Sequence, residues 1–233
     1  MRSAVKFVFA TLIGFGLLAS VVSSNVDATD IPSDLRPVSD EAEILVIGDS
    51  VMWWHSEDDA SVSHILAARL DTVVANLSIP GAPFAAEDSD SIQAQYRPGP
   101  WDWVVMNGGA NDLGDCGCGS CLDVVDTLIS ADARTGQIPG FVDGLRENGS
   151  NVLLTGYYHV LTQTGSLEAC VEEFRALNTR HDLLAERKEG VEFAPVEDLI
   201  LRRADFDEDL VHTSRRGTRK IADRIADVIE ASG

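Results

Sequence analysis

The chain has 233 residues, 45% of them hydrophobic, and a formal net charge of −20 at pH 7. A chain of this size and apolar content builds one domain around a single core. Its acidic residues are spread throughout rather than gathered in a tail, and their field repels nucleic acid and anionic lipid surfaces, which excludes both as partners.

Arg2 and Lys6 precede a nearly uncharged apolar run from Phe7 to Val22, and Val26 and Ala28 stand at the two positions a signal peptidase reads. Residues 1–28 are therefore expected to be a signal peptide, which places the protein in the periplasm or outside the cell. An uncleaved membrane anchor is the alternative, since the run is only somewhat short of the roughly 20 residues a spanning helix needs. Residues 29–42 are polar, contain Pro32 and Pro37, and read as a linker. The domain is expected over 43–233.

Glu43 to Gly48 is a short continuous apolar run ending in glycine, the pattern of a strand buried on both faces of a parallel sheet. Similar runs recur at Thr72 to Ser78, Trp103 to Asn107, Asn151 to Tyr157 and Val191 to Val196. Helical spacing is found between or after them, at Ala60 to Leu70, Ile138 to Glu147, Leu167 to Lys188 and Ser214 to Ile229. Alternation of strand and helix predicts an α/β fold with a parallel sheet covered on both faces. Such sheets collect ligands at the carboxyl ends of their strands, so the residues just after each strand carry the functional information.

The first strand runs into Gly48-Asp49-Ser50, where a glycine permits a tight turn and the serine hydroxyl projects into the crevice. Met52 stands where a Gly-x-Ser-x-Gly elbow would have its second glycine. After the second strand, Gly81 follows Pro80 and can present a backbone N–H without a side chain in the way. The third strand is followed by two glycines and then Asn111, a neutral amide donor suited to a developing oxyanion, and Asp112. Asp209 and His212, three apart and just before the last helix, can bring a carboxylate and an imidazole to one side of a turn. Each fragment alone has a plain structural reading as a cap, a turn or an ion pair. Together they supply nucleophile, base, base-orienting carboxylate and oxyanion donors at one end of one sheet. Asp49 and Asp112 are read as structural, bonding nearby backbone.

These fragments, in this order, resemble the SGNH/GDSL hydrolase superfamily, with the four signature residues falling on Ser50, Gly81, Asn111 and His212. The resemblance spans residues 44–230. It implies a three-layer α/β/α sandwich with a flavodoxin-like five-stranded parallel sheet, and esterase chemistry that uses no metal and no cofactor. Ser50, His212 and Asp209 would form the triad, and the N–H groups of Ser50 and Gly81 with the Asn111 amide the oxyanion hole. One departure is local: Val51 replaces the usual leucine, and Met52, Trp53, Trp54 and His55 follow it.

Four cysteines remain. In an exported chain they are expected as disulfides, pairing either Cys116 with Cys121 and Cys118 with Cys170, or Cys118 with Cys121 and Cys116 with Cys170. A metal held by the same cluster is the alternative. Trp53 and Trp54 are the candidate substrate-binding aromatics, one of which is expected to line the crevice, while Trp103 packs in the core. His55 and His64 are placed on or under the first helix, His159 is the best-placed rival for a role in the site, and His181 reads as a helix-surface residue.

The expected function is hydrolysis of a small-acyl carboxylic ester outside the cytoplasm by a monomer. The substrate would be a small-molecule or carbohydrate ester, with no membrane partner once the signal is removed. De-O-acetylation or O-acetyl transfer on a carbohydrate of the cell envelope is the rival within the enzyme class. A non-catalytic binding protein on the same fold is the rival outside it.

Overall fold

The computed structural model describes residues 38–85, 89–117, 119–159 and 168–233. The expected signal peptide and most of the expected linker lie outside these residues. Five strands, β1 (Ile44–Ile47), β2 (Val74–Asn76), β3 (Trp103–Met106), β4 (Asn151–Thr155) and β5 (Val191–Ala194), form one all-parallel sheet in the order β2-β1-β3-β4-β5. This is the flavodoxin-like order that the resemblance implies. β1 and β3, at the centre, are buried at every position, which is why they read as unbroken apolar runs.

Among the described residues, seven α-helices accompany the sheet: α1 (Ser50–Trp53), α2 (Val62–Leu70), α3 (Ala110–Cys116), α4 (Leu122–Leu128), α5 (Gln137–Glu147), α6 (Val171–Arg187) and α7 (Arg215–Ser232). Helix α2 packs on α7, while α4 packs on both α5 and α6, so the sheet lies between two helical layers. The four longer helices match the apolar spacing to within a few residues. Short α1, α3 and α4 carry no such periodicity, since two turns or fewer give the pattern nothing to repeat. Trp101 and Trp103 are buried.

His181 corrects the sequence reading. It lies on the inner face of α6 at 1% exposure, edge-on to Phe193 of β5, and burial lowers its pKa to about 4. Its charged neighbours along α6 suggested a solvent face, but it falls four residues after Leu177 on the apolar stripe.

Two polar arrangements fix the functional end of the sheet. At the centre, the Asp49 carboxylate is 1% exposed and follows β1 directly. It accepts hydrogen bonds from the Val51 N–H at 2.9 Å, the Asn107 amide beyond β3 at 2.7 Å, and the Tyr157 hydroxyl beyond β4 at 2.6 Å. Burial raises its pKa, against the opposing effect of these three bonds. Burial also keeps the Tyr157 proton in place, well above the usual phenol range. Gly48 has φ +146, and a Cβ there would overlap the Asn107 amide oxygen. The Gly48 N–H and C=O are both satisfied by the side-chain amide of buried Gln95, at 2.7 and 2.9 Å.

At the edge, Asp205 is fully buried before α7 and ties the incoming loop to that helix. Its carboxylate meets Lys220 Nζ at 2.8 Å and Arg216 Nε at 3.0 Å, and accepts the Arg202 N–H at 3.1 Å. Burial raises its pKa, but the Lys220 and backbone bonds outweigh that and leave it lowered. A lowered carboxylate contributes stability above the unfolded value and loses it as pH falls through the folded one.

Asp205→Ala should therefore cost about 3 kcal/mol, the scale of breaking a buried pair, seen as a lower urea midpoint with unchanged slope at pH 7, and the deficit should shrink in acid. Tyr157→Phe should cost about 2 kcal/mol by removing a hydrogen bond to a charged group. Its pH dependence has the opposite origin. Removing that bond raises the Asp49 pKa further, and a raised carboxylate loses its contribution as pH rises. Urea unfolding of Tyr157→Phe should thus show a larger deficit at pH 7 than at pH 4.

Candidate active site

Ser50 opens α1, with Asp49 as its N-cap, so the turn that satisfies Asp49 also aims the Ser50 hydroxyl off the end of β1. The imidazole that meets Ser50 comes from the far end of the chain. An isolated antiparallel bridge between Phe206 and Thr213 closes a short loop, and the Asp207 N–H donates to the His212 carbonyl at 2.8 Å inside it. Leu210 turns the loop with φ +61. One Asp209 oxygen then accepts the N–H groups of Val211 and His212, both at 2.9 Å, and the other meets His212 Nδ1 at 2.5 Å. The opposite ring nitrogen, Nε2, lies 2.8 Å from Ser50 Oγ.

Burial acts to raise the Asp209 pKa, but the bonds from the His212 ring and from the two backbone N–H groups prevail and lower it. Asp209 therefore remains a charged acceptor at neutral pH, which holds the proton on Nδ1 and leaves Nε2 free to accept from Ser50.

A cavity of about 260 Å³ opens beside Ser50 and His212. Gly81 and Asn111 line it together with Tyr157, Tyr158, Phe174 and Val211. Neither the Ser50 nor the Gly81 N–H has an acceptor among the described residues. Gly81 adopts φ +77, and nothing occupies the space where a Cβ would stand. The Asn111 amide donates one hydrogen to the Ala82 carbonyl at 3.0 Å, which orients it and leaves the second hydrogen available. Asp112 accepts the N–H groups of Phe84 and Ala85 at 2.8 and 2.7 Å, the backbone role expected of it.

The two tryptophans separate. Trp54 is the one that lines the cavity, and it also borders the adjoining hollow where Trp53 lies with Ser56, Glu57 and Asp58. Trp53 ends the four-residue α1 and Trp54 is its C-cap, so the two side chains leave the turn on different sides. His159 is exposed and lies outside the main cavity. His55 meets the Thr213 carbonyl at 3.0 Å, and His64 pairs with Ser61 and Asp59.

Cys116 and Cys121 are bridged, joining the end of α3 to the start of α4, and Cys170 is also disulfide-bonded. The bridge matches one half of the first expected pairing, excludes the second, and leaves neither Cys116 nor Cys121 as a thiolate for a metal. Cys118 lies outside the described residues.

Sequence reading missed Asn107, Tyr157, Tyr158, Phe174, Gln95 and Asp207. Asn107 and Tyr157 stand where the rule about strand ends would have found them, directly after β3 and just after β4. Gln95 had no such signal, because its partner Gly48 is 47 residues away.

Residues 46–220 match the GDSL-like lipase/acylhydrolase family. None of the curated proteins is similar to the chain at a significant level. Among solved structures, a carbohydrate acetylesterase family member from Sinorhizobium meliloti superposes with a TM-score of 0.61 at 16% identity, covering 82% of this chain and 98% of that one. A carbohydrate esterase family 2 enzyme with a carbohydrate-binding domain, from Corynascus thermopiles (Myceliophthora fergusii), gives 0.60 at 15% identity, covering 84% and 68%. At these identities the two structures speak for the fold. The family match, extending over most of the chain and containing all four signature positions, establishes that the protein belongs to the GDSL-like lipase/acylhydrolase family.

Proposed function

We propose that the protein is a serine-dependent carboxylic ester hydrolase acting on small-acyl esters in the periplasm or outside the cell. The observation that carries this reading is the continuous hydrogen-bonded line from Asp209 through His212 to Ser50, at the edge of a cavity with unpaired N–H groups. In the proposed reaction His212 Nε2 takes the Ser50 proton as Oγ attacks the ester carbonyl. The Ser50 and Gly81 N–H groups and the free hydrogen of the Asn111 amide stabilise the tetrahedral oxyanion. His212 then returns the proton to the leaving alcohol, and water that it activates releases the acyl group. Asp209 holds the imidazole in the required tautomer and balances its positive charge.

A cavity of this size suits a short acyl chain rather than a lipid tail. Two fold neighbours are named as a carbohydrate acetylesterase family member and a carbohydrate esterase, which supports de-O-acetylation of a carbohydrate as the second reading.

Ser50→Ala should reduce hydrolysis of p-nitrophenyl acetate by at least about 1,000-fold, the scale for loss of a triad member, with unchanged circular dichroism. Undiminished turnover in that variant would overturn the assignment of Ser50 as the nucleophile. Turnover of the unaltered protein should survive EDTA, because hydrogen bonds rather than a Lewis acid hold the oxyanion. Comparison of chromogenic esters of rising chain length with acetylated sugars separates the two readings: a kcat/KM that is highest on the sugars selects the carbohydrate esterase.

A further inference from the structure

Trp54 is the last residue of the turn that begins at Ser50, and its N–H donates to the Ser50 carbonyl at 2.8 Å. Its indole lies flat against the His212 imidazole, with centroids 3.7 Å apart and planes within 6°. Its Nε1–H donates to Asp207 Oδ2 at 3.0 Å, in the same loop that carries His212. Thus one side chain clamps the nucleophile turn to the base loop, with one face against the base and its polar edge on a carboxylate.

This geometry bears on the proposed chemistry, on which the inference rests. When Ser50 gives its proton to His212 Nε2, the imidazole becomes a cation, and an aromatic face against a cation is favourable. A carboxylate at the indole N–H draws electron density toward the ring face and strengthens that effect. Asp209 acts within the imidazole plane, through Nδ1, while the indole covers one face. We propose that Trp54, held by Asp207, is a positioning residue for His212 that sets the imidazole plane and supports the imidazolium formed when Ser50 is deprotonated.

The other titratable groups around this pair lie elsewhere. Asp49 feels His212 electrostatically, and Tyr158 donates to the Val211 carbonyl. His55 lies edge-on to Trp54 at 6.3 Å and acts on Asp207. The Trp54 bond is the largest influence lowering the Asp207 pKa, so the anchor carries charge at neutral pH.

The test compares the unaltered protein with Trp54→Leu, Trp54→Phe and Asp207→Asn. The first readout is the pH profile of kcat/KM on p-nitrophenyl acetate. The second is an NMR titration of the His212 imidazole, which needs no turnover and so separates failure of this inference from failure of the hydrolase reading. Trp54→Leu should move both midpoints down by about half a pH unit or more, the size expected for loss of one cation–aromatic contact. Its plateau kcat/KM should fall by about 10-fold while KM changes little, a loss equivalent to about 1.4 kcal/mol of barrier. Trp54→Phe, which keeps an aromatic face without the N–H anchor, and Asp207→Asn, which keeps the acceptor without the charge, should each give a smaller shift in the same direction. If Trp54→Leu does not fold, those two variants decide. Unmoved midpoints in the folded variants would overturn the proposal and leave Trp54 as a packing residue.

Discussion

The buried carboxylate of Asp49 is the constraint from which the rest of the site follows. A carboxylate taken out of water must find hydrogen bonds or lose its charge, and Asp49 finds them on its own turn, on Asn107 beyond β3 and on Tyr157 beyond β4. Those partners converge only if β1, β3 and β4 end at the same level, as the parallel register has them. The group is held by neutral hydrogen-bond donors, and burial still wins over them in raising its pKa. Such a centre favours one geometry, because a partly satisfied buried network is costly. Ser50 is the next residue and inherits that rigidity.

His212 reaches Ser50 from the opposite end of the sequence, 162 residues away, on a loop that the sheet does not include. Two anchors of different kinds substitute for strand pairing. Asp205 binds the entry of the loop to α7 by ion pairs to Lys220 and Arg216, and Trp54 joins its middle to the nucleophile turn. Only the second anchor touches His212 itself. A loss at Asp205 therefore acts on loop and helix as a unit, whereas a change at Trp54 acts on the orientation of one ring.

Much of this was legible in the sequence because of where each signal lies. The central strands declare themselves as apolar runs bounded by glycine or asparagine, and the four signature residues stand within a few residues of a strand's end or just before the last helix, where local order and position in the sheet coincide. What escaped was set by distance or by shortness. Gln95 satisfies Gly48 from within a loop, and nothing nearby in sequence marks it. Helices α1, α3 and α4 are too short for periodicity to register. His181 was misplaced because charged residues surround it along the chain while its own position falls on the apolar stripe. Trp53 and Trp54 are adjacent in sequence but leave the turn in different directions, a distinction that only the backbone path makes.

The acidic composition acquires a sharper meaning at the site than across the surface. Charges more than about 8–10 Å away are largely screened at physiological salt, so most of the −20 has little hold on a substrate at Ser50. The near charges are different. Asp209 bonds to the imidazole and Asp207 to the indole stacked on it, and both have lowered pKa values, so both are anionic at neutral pH. Two carboxylates close to one imidazole favour the cation that proton transfer creates, and the same pair repels an acyl group bearing its own negative charge. With Tyr157, Tyr158 and Phe174 in the lining, the local electrostatics and the cavity both fit the uncharged, short-acyl ester of the proposed reaction.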